Sequence, residues 1–133
     1  MCAENRLMRQ KKYWSIKYAT DRKGDKPALQ FIKNLDKRDK MKFLVLFSLV
    51  KQRQQFRNTE KFKKLNTSDG NIWEFKCKPF RILAYQHEDS YILTNGFRKD
   101  DKNRKIKKNI DLAINIKKAD LKRRLRKEVN HGK

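Results

Sequence analysis

Along Tyr13-Trp14-Ser15-Ile16-Lys17-Tyr18 the chain alternates, with Trp14, Ile16 and Tyr18 at one parity. Alternation with a period of two marks a half-buried strand, and the turn-rich stretch Asp21 to Asp25 closes it. The period then changes. From Pro27 to Leu35 the apolar positions Leu29, Ile32 and Leu35 recur at helical spacing; Pro27 suits a first helical turn, and Asp25 is placed to cap it. Asp36, with Asp39 three residues on, resembles a capping box. The helix it opens carries Met41, Phe43, Leu44, Phe47, Leu49 and Val50, apolar around too much of its circumference for a surface helix. Such a helix packs heavily, against a sheet or a partner.

The polar stretch from Gln52 to Glu60 ends that helix, and Phe62-Lys63-Lys64-Leu65 leads into the loop Asn66 to Asn71. From Ile72 the alternation returns, with Trp73, Phe75 and Cys77 on one face and Glu74, Lys76 and Lys78 on the other. Two further β-rich runs, Phe80 to Gln86 and Ser90 to Phe97, are joined by His87-Glu88-Asp89. Three strands with short turns predict an antiparallel meander. Arg98 to Lys102 turns the chain, and Ile106, Ile110, Ala113 and Ile114 set the stripe of a last helix that Leu121 and Leu125 extend. The basic end, Lys117 to Lys127, reads as a solvated tail first, with helix and phosphate-touching arm as the alternatives.

The length of 133 residues suits one domain. We divide it into a flexible basic extension at 1–12, a domain at 13–118 and a basic extension or helix end at 119–133. Charge changes the picture most: 37 Lys and Arg face 15 Asp and Glu, a formal net charge of +22. A polyanion is the expected partner. The 14 aromatic residues, with 2 Pro and 4 Gly, set the chain apart from disordered basic tails. Cys2 and Cys77 form no disulfide framework, the first twelve residues carry no signal-peptide core, and Phe43 to Val50 is far too short to span a bilayer. A cytoplasmic protein without membrane contact is expected. Cys2, Cys77, His87 and His131 lack metal-ligand spacing, and the glycines form no phosphate loop, so neither metal nor cofactor is expected.

Ile72-Trp73-Glu74-Phe75-Lys76, then Phe80-Arg81-Ile82-Leu83-Ala84-Tyr85, then Ile92-Leu93-Thr94-Asn95-Gly96-Phe97-Arg98-Lys99 resemble, in order and spacing, the phage-derived, HigB-like branch of the RelE/ParE toxin superfamily. Tyr18 to Leu35 resembles its first strand and helix start, Phe62-Lys63-Lys64-Leu65 its lysine pair, and Asn109-Ile110-Asp111-Leu112-Ala113 its closing helix. The resemblance spans roughly residues 13–118. It implies an α+β fold: an antiparallel sheet of about four strands, helices packed on one face with the other open, and a C-terminal helix. It further implies the toxin of a type II toxin–antitoxin system, a ribosome-dependent mRNA endonuclease. Its partners would be mRNA on the ribosome, rRNA and a helix-turn-helix antitoxin, with DNA reached only through that antitoxin. Arg104 or its neighbours stand where some members carry a tyrosine.

Cutting RNA without a metal requires the 2′-hydroxyl to attack its own phosphate, so a proton must leave, negative charge must be held, and the 5′-oxygen must be protonated. Arg81, Lys76, Arg98 and Glu74 are the candidate catalytic residues, with Arg81 the phosphate clamp, the salt-bridge partner of Glu74, or both at once. Glu74 is an orienter before it is a base, because a carboxylate among cations is a weak base. Lys63, Lys64, Lys78, Tyr85 and Lys99 are candidate RNA contacts. Tyr85 either stacks on a splayed base or packs inward, and His87 is expected to be solvated in its turn. Two other classes remain: a non-enzymatic RNA- or ribosome-binding module of the same fold, and DNA binding in company with an antitoxin.

Overall fold

The computed structural model describes residues 14–52, 60–99 and 104–131. The extension at 1–12, most of the polar stretch 52–60 and the turn at 100–103 lie outside them. Along the chain run β1 (Ser15–Tyr18), α1 (Pro27–Asn34), α2 (Lys37–Lys51), β2 (Phe62–Lys64), β3 (Trp73–Cys77), β4 (Phe80–His87), β5 (Ser90–Arg98) and α3 (Arg104–His131). The architecture is α+β, with one sheet of five strands in the order β1-β5-β4-β3-β2. The expected meander is β3-β4-β5. β1 joins its far edge in parallel with β5, through Ser15 opposite Ser90 and Tyr18 opposite Leu93. β2 stands where the sequence predicts only a lead-in to a loop. It pairs antiparallel with β3, Phe62 opposite Phe75 and Lys63 opposite Glu74, and so adds a strand beyond the four expected.

Local chemistry sets the helix starts. Asp36 is the N-cap of α2, its carboxylate accepting the Asp39 N–H at 2.8 Å; that bond, ahead of smaller effects, holds the Asp36 carboxyl below its ordinary pKa. Asp25 does not cap α1: the N-cap is Lys26, without a side-chain bond. Asp25 belongs instead to a turn in which Asp21 Oδ1 accepts from the N–H groups of Lys23 and Asp25, each at 2.9 Å, while Gly24 takes φ +92°.

The two sheet faces carry different cores. Phe75, Ile82, Ala84, Tyr91 and Leu93 face α1 and α2, meeting Ala28, Ile32, Phe43, Leu46, Phe47 and Val50. Phe47 stands edge-on to Phe75 at 5.0 Å, and Trp14 stacks on Tyr91 at 4.7 Å. α1 approaches β5 so closely that a Cβ on Gly96 would lie 2.2 Å from the Phe31 ring. On the opposite face, Leu83 and Phe97 meet Ala113 of α3, and Tyr85 and Ile92 meet Ile116. The expectation of helices on one face only is therefore corrected: α3 lies across β5 and β4, because its Ile106, Ile110, Ala113 and Ile114 stripe needs an apolar surface and the second face supplies one.

A polar cluster fixes this helix. Asp120 is 2% exposed. Its carboxylate accepts from the hydroxyl of fully buried Tyr85, from Arg124 Nε at 2.6 Å and from the Thr20 N–H at 2.8 Å. Arg124 reaches on to the Tyr18 carbonyl at 3.3 Å, and Lys117 pairs with Asp69 at 2.6 Å. The basic stretch from Lys117 is thus helix, and α3 passes position 118 without a break. Among the described residues no helix is long and apolar enough to cross a membrane.

These contacts can be tested through stability. Asp120→Ala strands the Tyr85 hydroxyl, the Thr20 N–H and the Arg124 charge, and is expected to cost about 3 kcal/mol or more in denaturant unfolding; a loss no larger than that of an exposed-site control would contradict the stapling role. Gly96→Ala is expected to cost ~1–3 kcal/mol by overpacking against Phe31. In a double-mutant cycle with Phe31→Leu the two losses should be less than additive.

Candidate nucleic-acid interface

Strand pairing decides which cations share a surface. Lys76 lies opposite Arg81, and Glu74 lies between Lys63 on β2 and Leu83 on β4. Lys63, Glu74, Lys76 and Arg81 therefore occupy the sheet face that carries α3. Within this group Arg81 Nε stands 3.7 Å from Glu74 Oε2, their side chains 5% and 11% exposed. The Arg81 guanidinium also donates to the Phe80 carbonyl at 3.2 Å.

Arg81 is thus the salt-bridge partner of Glu74, with little of its guanidinium exposed. The ammonium groups around it are the more exposed cations. Lys63 and Lys78 are exposed, Lys76 half-buried. Lys99 is exposed and its N–H donates to the Pro79 carbonyl at 2.8 Å, which draws the end of β5 to the β3–β4 turn. The Lys76 ammonium is pulled below its ordinary pKa, by burial first and then by the charges of Arg81, Lys78 and Lys99, against an opposing pull from Glu74. Such a lysine gives up its proton more readily than a free one.

Three expected members stand apart. Leu83 pairs with Asn95 while Ala84 pairs with Leu93, so Thr94 is the extra residue of a β-bulge. Thr94 is fully buried, its hydroxyl 3.1 Å from the Leu83 carbonyl and 2.8 Å from Asn95 Oδ1. Beyond the bulge Arg98 lies opposite Phe80, on the α1 side, with its guanidinium 5.9 Å from the centre of the Phe80 ring. Lys64, opposite Trp73, is turned likewise away from Glu74. Tyr85 packs inward: it is fully buried and its hydroxyl is bound to Asp120, which removes it from base stacking. Burial and that bond raise its pKa.

His87, expected to be solvated, is half-buried. Its Nε2 lies 3.5 Å from Glu128 Oε1 and 3.9 Å from Glu88 Oε1. These three residues bring potential metal-ligand atoms within 4.8 Å of one another, at the far end of β4 from Arg81. Spacing along the chain hid this group, since Glu128 comes 41 residues after His87. Exposed carboxylates often gather this way without a metal.

The sequence model of the family described as Phage derived protein Gp49-like (DUF891) matches residues 30–118. The chain belongs to this Gp49-like family. The match runs from α1 into α3 and takes in the whole cationic group. The Gp49-like family is a RelE/ParE-like toxin family associated with toxin–antitoxin systems, which implies a cognate antitoxin. No curated protein matches the chain.

In this Gp49-like protein the proximity of Arg81 and Lys76 has a measurable consequence. Amine acylation at stepped pH, read by mass spectrometry, should show Lys76 reacting at lower pH than a lysine in a short unstructured reference peptide. Arg81→Gln should move Lys76 back towards a free lysine value of about 10.4, because one positive neighbour is gone. A Lys76 profile that ignores the substitution would contradict the coupling.

Proposed function

We propose that this Gp49-like protein is the toxin of a type II toxin–antitoxin pair, of the HigB-like kind, and that it cuts mRNA in the ribosomal A site by attack of the 2′-hydroxyl on its own phosphate. The observation that carries the reading is the set of cations Lys63, Lys76, Lys78, Arg81 and Lys99 around the sheltered carboxylate of Glu74, in a toxin-family protein. Cytoplasmic location and a helix-turn-helix antitoxin belong to the same reading, with 13–118 as the toxin domain.

In this mechanism Lys76 and Lys99 hold the phosphoryl oxygens, where preplaced positive charge stabilises the pentacoordinate transition state. Lys63 and Lys78 grip neighbouring phosphates of mRNA or rRNA. Arg81 and Glu74 are positioning residues: their ion pair fixes the floor under Lys76, and the field of Arg81 eases proton loss from Lys76. Lys76 thereby serves as donor to the departing 5′-oxygen, whose bond to phosphorus breaks as the 2′-oxygen forms its own, and the 2′-hydroxyl proton passes to solvent water. Arg98, on the far side of the sheet edge, contacts the ribosome or the flanking strand rather than the reacting phosphate.

One feature favours a second reading, a ribosome-binding module without chemistry. Glu74, the carboxylate of the group, is 9% exposed and paired, so the described residues of the patch offer no open general base. Primer extension on a defined mRNA in cell-free translation separates the two. Cuts that require ribosomes and fall about 10²–10³-fold in Lys76→Ala, with ribosome binding reduced only a few-fold, are the expected result. The rate should also decline on the alkaline side at a pH below that of a free lysine, as Lys76 loses the proton it must donate. Intact mRNA with halted translation would establish the binder, and equal losses of binding and cleavage in Lys76→Ala would remove Lys76 from the chemistry.

A further inference from the structure

The turn that joins β4 to β5 is two residues long, Glu88-Asp89, since His87 pairs with Ser90. It is held from outside, for the Asp89 carbonyl accepts the Ser15 N–H at 2.8 Å, and within it Glu88 takes φ +54°. On the other side stands α3, fixed by Asp120 on the Thr20 N–H and by Arg124 on the Tyr18 carbonyl. About two turns beyond Asp120 it carries Glu128. Strand end and helix end thus bring one imidazole and two carboxylates together. His87 Nε2 is 3.5 Å from Glu128 Oε1 and 3.9 Å from Glu88 Oε1, and the three atoms all lie within 4.8 Å of one another.

We propose that His87, Glu88 and Glu128 form a site for a first-row divalent cation, zinc foremost, and that the bound ion clips the end of α3 to the β4–β5 turn. The imidazole sets this group apart from a mere gathering of surface carboxylates, because a neutral ring nitrogen beside two carboxylate oxygens is a donor set for zinc and its neighbours, whereas magnesium and calcium take oxygen throughout. Ligands about 2.0–2.2 Å from a tetrahedral zinc stand about 3.3–3.6 Å from one another. The His87–Glu128 edge already has that length. The glutamate side chains, 71% exposed at Glu88 and 51% at Glu128, have room to close the other two edges onto a His87 ring that is only 22% exposed. One nitrogen and two oxygens leave the fourth position to water. The two carboxylates cancel the charge of the ion, and Arg81 stands six residues away along β4, about 20 Å at ~3.4 Å per residue, well beyond the Debye length of about 8 Å. The ion would join residues 41 apart in the chain. Unfolding separates them, so binding stabilises the folded state alone. Glu128 lies past residue 118, where the family match ends, so the third ligand comes from outside the matched segment. The site is independent of the reading of Lys76 and its neighbours as an RNA surface.

The test uses the full chain, stripped of metal by a chelator and titrated with zinc chloride in a calorimeter. One ion per chain is expected, with affinity reduced about tenfold or more in His87→Ala and in Glu128→Gln; circular dichroism checks that both variants stay folded, and Glu128→Gln keeps the size of the side chain. Zinc at a hundredfold excess over its Kd should raise the unfolding temperature by about 5 °C or more, a rise that both variants lose and that magnesium and calcium do not reproduce. Cobalt(II) in place of zinc should give visible bands that disappear in His87→Ala. The proposal is overturned if zinc does not bind, which leaves an ion pair between His87 and the glutamates, or if it binds equally well to both variants. A thiolate-to-cobalt band in the near ultraviolet would move the ion to a cysteine, and a calcium response as large as that of zinc would reduce the group to a pair of surface carboxylates; either result overturns the site. Zinc that binds through His87 and Glu128 without raising the unfolding temperature overturns the clip. RNA binding and cleavage enter none of these readouts.

Discussion

The carboxylate of Asp120 decides where the last helix lies, and through it which part of the sheet remains open. A buried carboxylate is costly unless donors surround it. Here two come from distant parts of the chain, the Tyr85 hydroxyl on β4 and the Thr20 N–H after β1, and the third is Arg124, one turn along α3. Burial alone would lower the Arg124 pKa, yet the bond and charge of Asp120 hold it above the ordinary value. Apolar burial by Ala113 and Ile116 presses α3 onto the sheet without fixing its angle, since hydrophobic contact is non-directional. The hydrogen bonds supply the direction. They hold α3 over β5 and β4, and the cations of β2, β3 and the first turn of β4 are left beside it.

The elements were legible where one force dominates. Alternation located β1 and the three meander strands, and the Asp36 cap and the α3 stripe located two helices, because local pattern and tertiary burial agree there. β2 escaped because three residues, Phe62-Lys63-Lys64, are too few to alternate, and an edge strand is held by backbone pairing to β3 rather than by its own pattern. Asp120 escaped for a different reason. Within a run of lysines and arginines an aspartate reads as surface, its Arg124 neighbour at i+4 reads as an ordinary helix-surface pair, and its partners Tyr85 and Thr20 are visible only once the chain is folded.

The composition of the site depended on a bulge. Counting parity along Ile92 to Lys99 assumes an unbroken ladder; the extra residue at Thr94 restores the apolar alternation of Gly96 and Phe97 but reassigns Arg98 and Lys99. Arg98 passes to the Phe80 side, and Lys99 joins the charges that act on Lys76. Tyr85 and Arg81 share a face, as parity required, but a face is not a surface: α3 covers Tyr85, and Glu74 occupies Arg81. Sequence assigned the β3 and β4 residues to their faces correctly, and only the position of α3 determined which of them meet solvent.

The apolar side of α2 and the cationic patch are linked through Lys76 and Lys78, which border both. The two surfaces select differently. Binding of RNA draws on counterion release and weakens steeply with salt, whereas a contact with exposed Met41, Val45 and Leu49 of α2 gains mainly by removing apolar surface from water, which salt does not weaken. Carboxylates brought beside Lys76 would act in the opposite sense to Arg81 and favour its charged form.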